Sequence, residues 1–253
     1  MRIDLNADVG ESFGAYTIGH DAGLMRSVTS VNIAAGFHGG DPSVLRQTIR
    51  LAKANGVAVG AHPGFPDLAG FGRRELHVTP QEAEDFVLYQ VAAVAGVAAA
   101  EGIRLQHVKP HGALFNMAAR QRPLAAAIAS AVAAFDRSLI LFGLPGSELL
   151  TAGRTAGLRV AAEVFADRAY EPDGSLTPRS RPGSVLHEPA IVVARSLRMV
   201  KDRVVDAVDG TTVAVAADTI CVHGDSPGAD DLAARLRAGL EAGGVAVQAI
   251  GLP

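Results

Sequence analysis

Seven short β-rich segments, each followed by a segment of helical character, constrain the fold of this 253-residue chain more than any other feature. This alternation is typical of parallel strands that are joined by right-handed helical crossovers. The predicted strands are IDLNAD, VNIAAGFH, VAVGAH, LQHVKPHGALFN, SLILFGLPG, RVAAEVFAD and TICVHGD. We therefore expect a parallel sheet of seven strands, either open and doubly wound or closed into a barrel.

Polar residues at alternate strand positions favour the barrel. An extended strand from Leu105 to Asn116 would place His107, Lys109 and His111 on one face. In an open parallel sheet both faces pack on helices and should be apolar, whereas in a barrel one face lines the interior and ligands gather at the C-terminal mouth. We therefore predict an α/β fold, a (β/α)7 barrel related to TIM barrels. The other strands carry polar residues of one parity, mostly near their C-terminal ends: Asp4, Asn6, Asp8, Asn32, His38, His62, Glu163, Asp167, His223 and Asp225.

Capping signals predict where the helices begin and end. Asp41 before Pro42 predicts a helix that ends at Gly56, and the capping box Thr79 to Glu82 predicts one that ends near residue 101. We expect further helices over 122–135, 147–155, 189–201 and 229–242, and a helical turn near 24–27. Asp209-Gly210 predicts a hairpin insertion near 204–215 within a single domain of residues 1–253.

Composition limits the classes of partner and compartment. The chain has 23 Lys and Arg against 26 Asp and Glu and no run of like charges, which argues against nucleic acid or an anionic membrane as partner. The lone cysteine, Cys221, excludes an internal disulfide framework, fits a reducing compartment and is expected to pack in the core. The first residues, MRIDLNADVG, resemble no signal peptide, and no apolar run reaches about 18 residues, so we expect a cytoplasmic protein.

The His and carboxylate residues at the expected mouth permit a metal site or a hydrogen-bonded mouth without metal. No HExxH or CxxC motif occurs, so separate strands would have to supply the metal ligands. Lys109 is expected either to hold an anion or to form an internal ion pair. Phosphate-loop, GxGxxG and GxSxG motifs are absent, so the sequence shows neither a nucleotide site nor a serine nucleophile. Arginines that could form a basic rim or simply be solvated are Arg73, Arg74, Arg179 and Arg181, whereas Arg168 could bind a carboxylate or phosphate or pair with Asp167 on the surface.

Several long blocks of the sequence resemble the family of the 5-oxoprolinase A subunit, also called the LamB/YcsF family. They are DLNADVGESFG, SVNIAAGFHGGDP, GAHPGFPDLAGFGRR, HVKPHGALFN, EVFADRAY with DGSLTPR, and ICVHGDSPGA, and they span almost the whole chain. The resemblance implies ATP-dependent opening of 5-oxo-L-proline to L-glutamate, with release of ADP and phosphate, carried out with subunits B and C. It also implies a seven-stranded barrel similar to the glycoside hydrolase and polysaccharide deacetylase fold. In the distant deacetylases an Asp and two His residues hold a metal, which by analogy implies Asp8, His38 and His62 as candidate ligands.

Lactam opening requires an activated water, an oxyanion acceptor and a proton donor for the departing nitrogen. We expect Asp8 or His62 to be the base, Lys109 and His111 to stabilise the oxyanion, and Glu163 or Asp225 to donate the proton. Arg168 is expected to bind the substrate carboxylate, and the remaining substrate-binding candidates are Asn6, His38, Asp167 and His223. Two other functions stay open: a stand-alone metal-dependent amide or carbohydrate deacetylase, and a non-catalytic subunit that binds a lactam.

Overall fold

A closed ring of seven parallel strands forms the centre of the computed structural model, which describes residues 1–225 and 227–251. The ring closes where β1 pairs with β9, with Asn6 opposite Cys221. The predicted closed (β/α)7 barrel is therefore confirmed. The strands, including three outside the ring (β7, β8 and β10), are β1 (Arg2–Val9), β2 (Ser30–Ala34), β3 (Ala58–His62), β4 (Leu105–Val108), β5 (Ile140–Gly143), β6 (Arg159–Phe165), β7 (Val204–Asp206), β8 (Thr212–Ala214), β9 (Thr219–Val222) and β10 (Ala246–Val247).

Helices cover the outside of the ring, and their first turns follow the capping chemistry of the sequence. Asp41 accepts hydrogen bonds from the amides of Ser43 and Val44, at 2.8 and 2.9 Å. Thr79 and Glu82 form the predicted capping box. These bonds satisfy amides that have no partner within the helix. The helices are α1 (Asp21–Leu24), α2 (Pro42–Asn55), α3 (Pro80–Ala100), α4 (Gly112–Ala118), α5 (Arg122–Phe135), α6 (Glu148–Thr155), α7 (Pro189–Lys201) and α8 (Ala229–Ala242).

Several predicted element boundaries differ from the structure, because the strands β2, β5 and β9 end before the predicted segments do. The expected strand from 105 to 116 ends at Val108, and α4 begins at Gly112 with His111 as its N-cap residue. Pro110 interrupts the strand because it has no amide hydrogen to donate to a neighbouring strand. The short helix near the N-terminus covers Asp21–Leu24 and so begins three residues earlier than expected.

Helix α3 is long and apolar enough, by length and composition alone, to cross a membrane. No such stretch was expected from the sequence. In the fold, one side of α3 is buried, including Val87, Val91 and Val94. The helix packs mainly against α5 and also contacts β3 and β4. Its apolar composition is thus partly used in covering the barrel.

Small residues in the strands leave room for large polar side chains in the interior. A Cβ atom at Gly60, in β3, would overlap the imidazole of His107 on β4. That imidazole stacks on Phe142 of β5, with ring centroids 4.2 Å apart. Glycine at position 60 therefore allows one ring to lie across the lower barrel.

An antiparallel hairpin is inserted in the chain between α7 and β9, the last strand of the ring. Strands β7 and β8 pair with Val205 opposite Val213, and Gly210 in the connecting turn has a φ of 85°. Glycine tolerates this left-handed conformation without steric cost. Strand β10 adds to the N-terminal part of β1 in parallel, outside the ring.

Candidate active site

The floor of the barrel interior is a hydrogen-bonded polar network. Asn6 donates to Glu163 Oε1 at 3.1 Å and to Thr219 Oγ1 at 2.7 Å, and it accepts from Asn32 Nδ2 at 2.7 Å. His107 Nε2 lies 2.8 Å from Asn32 Oδ1. The side chain of Asn6 is fully used here and does not reach the cavity above, contrary to its predicted role in substrate binding.

Lys109 lies above this floor as a buried counterion. Its Nζ is 2.7 Å from Asp8 Oδ1, 3.2 Å from Glu163 Oε1 and 3.0 Å from Cys221 Sγ. Burial alone would lower the pKa of Lys109, but the charges of Asp8, Cys221 and Glu163 outweigh it and raise that pKa well above the usual value. The ammonium group therefore stays protonated at neutral pH, where it can stabilise an anion.

Asp8 and Glu163 are both carboxyl groups at this ammonium, but they ionise differently. Burial opposes ionisation of Asp8, yet the charges of His62 and Lys109 hold its pKa well below the usual value. Burial dominates at Glu163 and raises its pKa to about 7, although Lys109 opposes the shift. Asp8 is thus a carboxylate at neutral pH, whereas Glu163 is close to half protonated.

Three imidazoles and one carboxylate form a buried group that we call the imidazole cluster: Glu11, His38, His62 and His111. One potential ligand atom from each residue lies within 4.8 Å of all the others. His111 Nδ1 is 2.9 Å from His62 Nε2, and the rings of His38 and His111 stack with centroids 3.7 Å apart. Burial lowers the pKa of His38 and of His111 well below the usual value, with neighbouring histidines adding to the effect.

The imidazole cluster differs from the ligand set that the deacetylase analogy implied. It contains the expected His62 and His38, but Glu11 and His111 join them instead of Asp8. Asp8 Oδ2 lies beside the cluster, 3.3 Å from His62 Nε2. His62, His111 and a carboxylate are the donor types that Zn²⁺ and related divalent ions prefer.

His223 and Asp167 form an acid–base pair at the opposite side of the mouth. His223 Nδ1 lies 2.9 Å from Asp167 Oδ1 and 3.0 Å from Oδ2. Burial opposes ionisation of Asp167, but the charge and hydrogen bond of His223 lower its pKa below the usual value. Asp167 does not line the cavity, so it acts on His223 and not on a ligand directly.

The arginines of the mouth divide into paired and unpaired cations. Arg73 binds Asp225 at 2.5 Å, Arg74 binds Asp67, and Arg181 binds Glu171 at 2.8 Å. Within residues 1–225 and 227–251, no carboxylate lies within 4.0 Å of the guanidinium of Arg168 or Arg179. Burial lowers the pKa of Arg168 to about 10, and the nearby charge of Arg179 contributes. These two cations are the ones available to an anionic ligand.

The guanidinium group of Arg168 has fewer free N–H groups for a substrate carboxylate than its predicted role suggests. Its Nε donates to the Ser184 carbonyl oxygen at 3.2 Å and its Nη2 to that of Thr177 at 2.5 Å. Those bonds fix the guanidinium plane and leave Nη1 for a ligand. Arg179, which was expected only on the rim, is the stronger candidate for a bidentate contact.

Asp225 does not take the position predicted for it. Its carboxylate pairs with Arg73 and does not line the cavity. Residue 225 lies in a turn after β9, beyond the last strand residue, so strand parity no longer directs its side chain. Glu163 is likewise absent from the cavity wall because it lies one layer deeper, beneath Lys109. Neither of the two carboxyl groups predicted as proton donors therefore reaches the cavity directly, and their role stays a prediction.

A cavity of about 550 Å³ opens above Lys109. Its volume is within the range of small-molecule sites. Of the predicted site residues, five lie behind its wall or outside it: Asn6, His38, Glu163, Asp167 and Asp225. The six that line it are Asp8, His62, Lys109, His111, Arg168 and His223.

Glu11 is the site residue that was not predicted. It follows β1 in the GESFG loop, where no strand or helix periodicity applies, and Gly10 turns the chain with a φ of 69°. The Glu11 backbone passes so close to Gly39 that a Cβ there would lie 3.0 Å from the Glu11 carbonyl oxygen. The spacing of Glu11 only three residues after Asp8 was the available signal.

Comparisons with known proteins agree over the whole chain. Residues 3–252 match the LamB/YcsF family. The 5-oxoprolinase A subunit of Bordetella parapertussis is 57% identical over 247 residues, which cover 98% of each chain. That of Tolumonas auensis is 56% identical over 249 residues, which cover 98% of this chain and 99% of the relative. The crystal structure of a lactam utilization protein from Thermus thermophilus matches with a TM-score of 0.93 and 52% identity, covering 99% of this chain and 100% of that one. The chain therefore belongs to the LamB/YcsF family.

Proposed function

We propose that this chain binds 5-oxo-L-proline and directs water at its ring amide, as the A subunit of an ATP-dependent 5-oxoprolinase. The observation that carries the proposal is the convergence of Asp8, Lys109 and His111 on one cavity, whose mouth holds Arg168 and Arg179 without a carboxylate partner among the described residues. Relatives that are 56–57% identical and carry the name of the 5-oxoprolinase A subunit support it. The reaction opens 5-oxo-L-proline to L-glutamate.

The mouth fits a small anion that has a polar ring. In the proposed complex the carboxylate of 5-oxoproline binds Arg179 and the remaining Nη1 of Arg168. Burial lowers the pKa of both guanidinium groups, and repulsion adds to it, from Arg179 at Arg168 and from Arg73 at Arg179, so both cations are costly to leave unpaired. A bound carboxylate relieves that repulsion. The ring amide then points toward Lys109, at the bottom of the cavity.

Ring opening adds one water across the amide bond. The water oxygen bonds to the ring carbonyl carbon while Asp8 accepts a proton, and Lys109 with His111 stabilises the charge that develops on the carbonyl oxygen. The carbon–nitrogen bond then breaks and the nitrogen takes a proton. We assign that proton to His223, because it lines the cavity and Asp167 holds its other ring nitrogen. This replaces Glu163 and Asp225 as proton donors.

ATP supplies the driving force that an unstrained lactam lacks. Transfer of the γ-phosphoryl group of ATP to the ring carbonyl oxygen leaves ADP and activates the carbonyl carbon. Addition of the first water and cleavage of the carbon–nitrogen bond then give an acyl phosphate, and a second water releases phosphate and leaves the glutamate carboxylate. We assign most of the nucleotide chemistry to subunits B and C, because the chain has no phosphate-loop motif. Since ATP is an intracellular co-substrate, the proposed site of action is the cytoplasm.

The test is reconstitution of the chain with its two partner subunits, followed by measurement of ATP-dependent glutamate formation. Asp8→Asn and His111→Ala are each expected to lower turnover at least 100-fold. Matched controls are Asp231→Asn and His187→Ala, whose side chains are exposed and do not line the cavity. Normal turnover in both Asp8→Asn and His111→Ala would refute the proposed site.

The imidazole cluster favours a second candidate function, a metal-dependent amide hydrolase that acts alone. Its donor set resembles that of hydrolytic zinc sites. That function predicts turnover of an amide without ATP and without partner subunits, abolished by a chelator. A third possibility, a subunit that only binds the lactam, predicts that Asp8→Asn weakens lactam binding while the complex still turns over.

A further inference from the structure

Two histidines of the imidazole cluster face each other with nitrogen atoms that both lack a proton. His62 Nδ1 lies 2.7 Å from the carbonyl oxygen of Lys109. A carbonyl oxygen only accepts hydrogen bonds, so His62 Nδ1 carries a proton, and in the neutral ring Nε2 keeps its lone pair. His111 Nε2 lies 2.8 Å from the carbonyl oxygen of Phe71, so by the same reasoning His111 Nδ1 keeps its lone pair. These two acceptor nitrogens are 2.9 Å apart.

The other atoms near this contact are carboxyl oxygens, which accept hydrogen bonds when ionised, although burial and the charge of Asp8 raise the pKa of Glu11 well above its usual value. Glu11 Oε1 is 3.5 Å from His111 Nδ1, and Asp8 Oδ2 is 3.3 Å from His62 Nε2. Lys109 does not fill the gap, because its contacts within hydrogen-bond distance are Asp8 Oδ1, Glu163 and Cys221. Four atoms thus converge in the described part of the chain, and with neutral imidazoles and ionised carboxyl groups all four are acceptors. Such an arrangement is stable only around a positive centre.

We infer that a divalent transition-metal ion, with Zn²⁺ as the best fit, binds His62 Nε2, His111 Nδ1 and a carboxylate oxygen of Glu11. Zinc binds nitrogen and oxygen ligands at about 2.0–2.2 Å, so adjacent ligands at angles of 90–110° lie about 2.9–3.5 Å apart. The separations of 2.9 Å between His62 and His111 and of 3.5 Å between His111 and Glu11 match that range, whereas the ligand atoms of His62 and Glu11 lie within 4.8 Å of each other and must approach when the ion binds. The inference concerns binding by this chain alone and does not depend on the proposed reaction.

The surroundings of the three ligands are those of a prepared metal site. Each histidine donates its other ring N–H to a backbone carbonyl, which fixes the tautomer and the ring orientation. His38 Nε2 lies 3.3 Å from Glu11 Oε1 and so positions the carboxylate. His62 and His111 both line the cavity, so a position on the ion would be open to it. A metal there would supply an acidic bound water or polarise a carbonyl oxygen.

A single proton shared by His62 and His111 is the competing explanation of the same geometry. It requires one imidazolium in the cluster and no metal. The two explanations differ in what the purified chain binds, so the decisive readout is metal binding and not activity.

The experiment uses the full chain, freed of metal by dialysis against a chelator, and titrates it with Co²⁺ and Zn²⁺. Binding is measured by calorimetry and by the visible absorption of Co²⁺, which reports ligand number. We expect one equivalent of Zn²⁺ with a micromolar or tighter Kd. Glu11→Gln and His111→Asn are each expected to weaken it at least 30-fold. His187→Asn, a change at an exposed histidine, should leave Kd and the Co²⁺ spectrum unaltered.

Each outcome of the titration separates the metal from the shared proton. Loss of metal binding in Glu11→Gln with an unchanged circular dichroism spectrum supports the site. If His111→Asn does not fold, the result for Glu11→Gln alone tests the inference. Absence of Zn²⁺ binding at 1 mM, or equal binding in wild type and Glu11→Gln, overturns the inference in favour of the shared proton. Retained metal binding in an Asp8→Asn chain that has lost turnover would leave the metal site standing while testing the proposed reaction separately.

Discussion

Replacing Lys109 with methionine removes the positive charge at the centre of the barrel while keeping a side chain of similar length. In the native protein Nζ contacts Asp8 Oδ1 at 2.7 Å and Glu163 Oε1 at 3.2 Å, all three groups being buried. The substitution leaves two carboxyl groups facing an apolar chain. Breaking a buried ion pair by removing one partner costs about 3–5 kcal/mol, because the remaining charge is uncompensated. We expect that loss in the free energy of unfolding at pH 7.

The loss should also depend on pH, through Glu163. Its folded-state pKa is raised to about 7, chiefly by burial and despite the opposing charge of Lys109. A raised carboxyl pKa gives stability that is fully present below the unfolded value, near 4.5, and is lost as pH rises through 7. Without Lys109 the pKa rises further, so above pH 7 the variant keeps a proton that wild type releases. The difference in stability should therefore grow by up to about 1.4 kcal/mol per pH unit above pH 7.

The assay is urea denaturation of both proteins at pH 6, 7 and 8, followed by circular dichroism. Lys53→Met is the matched control, since Lys53 is exposed and its ammonium donates only to the Glu101 carbonyl oxygen in the described fold. This control should change stability by less than about 1 kcal/mol. If Lys109→Met loses no more than Lys53→Met, or if its loss shrinks as pH rises, the ammonium is not the counterion of these carboxyls.

Three further changes test other parts of the structure. Gly60→Ala should destabilise the fold by about 2–4 kcal/mol in urea, because the new methyl group overlaps the His107 ring, whereas Gly96→Ala on the exposed side of α3 should be neutral or stabilising by up to about 1 kcal/mol. Thr79→Ala should cost about 1 kcal/mol by removing the capping box of α3, and an unchanged thermal midpoint would contradict that reasoning. Arg179→Gln should weaken binding of 5-oxoproline about 10- to 100-fold in calorimetry, since it removes a charge-assisted contact, and equal affinity would show that the carboxylate binds elsewhere.

The helices and strands of the barrel could be predicted from the sequence because the signals that define them lie within a few residues of one another. The N-cap Asp41 and the C-cap Gly56 fix α2 regardless of what packs around it. Alternating polar residues also report correctly which face of a strand points inward, as Asp8 and Lys109 illustrate. Each of these properties is decided by backbone geometry within one element.

The site itself depended on distances that the sequence does not contain. Parity gives the face of a residue but not its height along the barrel, because tilted strands are staggered relative to one another. Glu163 and Asn6 therefore proved to lie in the floor, although both have the inward parity. His111 reached the mouth from the N-cap of a helix and not from a strand. Glu11 arrived by packing of a loop, for which no periodic pattern exists.

The two explanations considered for the polar strands, a satisfied network and an active site, apply to different depths of the same barrel. In the floor, the amides of Asn6 and Asn32 have partners at 2.7–3.1 Å and need no ligand, and of the Glu163 carboxyl oxygens only Oε2 lacks a partner among the described residues. At the mouth the balance changes: among the described residues, acceptor atoms of His62 and His111 face each other without a donor, and two guanidinium groups lack carboxylates. Polar groups that satisfy one another give stability, whereas a surplus of acceptors beside a surplus of cations is compensated only when something binds. The layer of the candidate site is therefore the one where the protein's own hydrogen-bond donors and acceptors balance least.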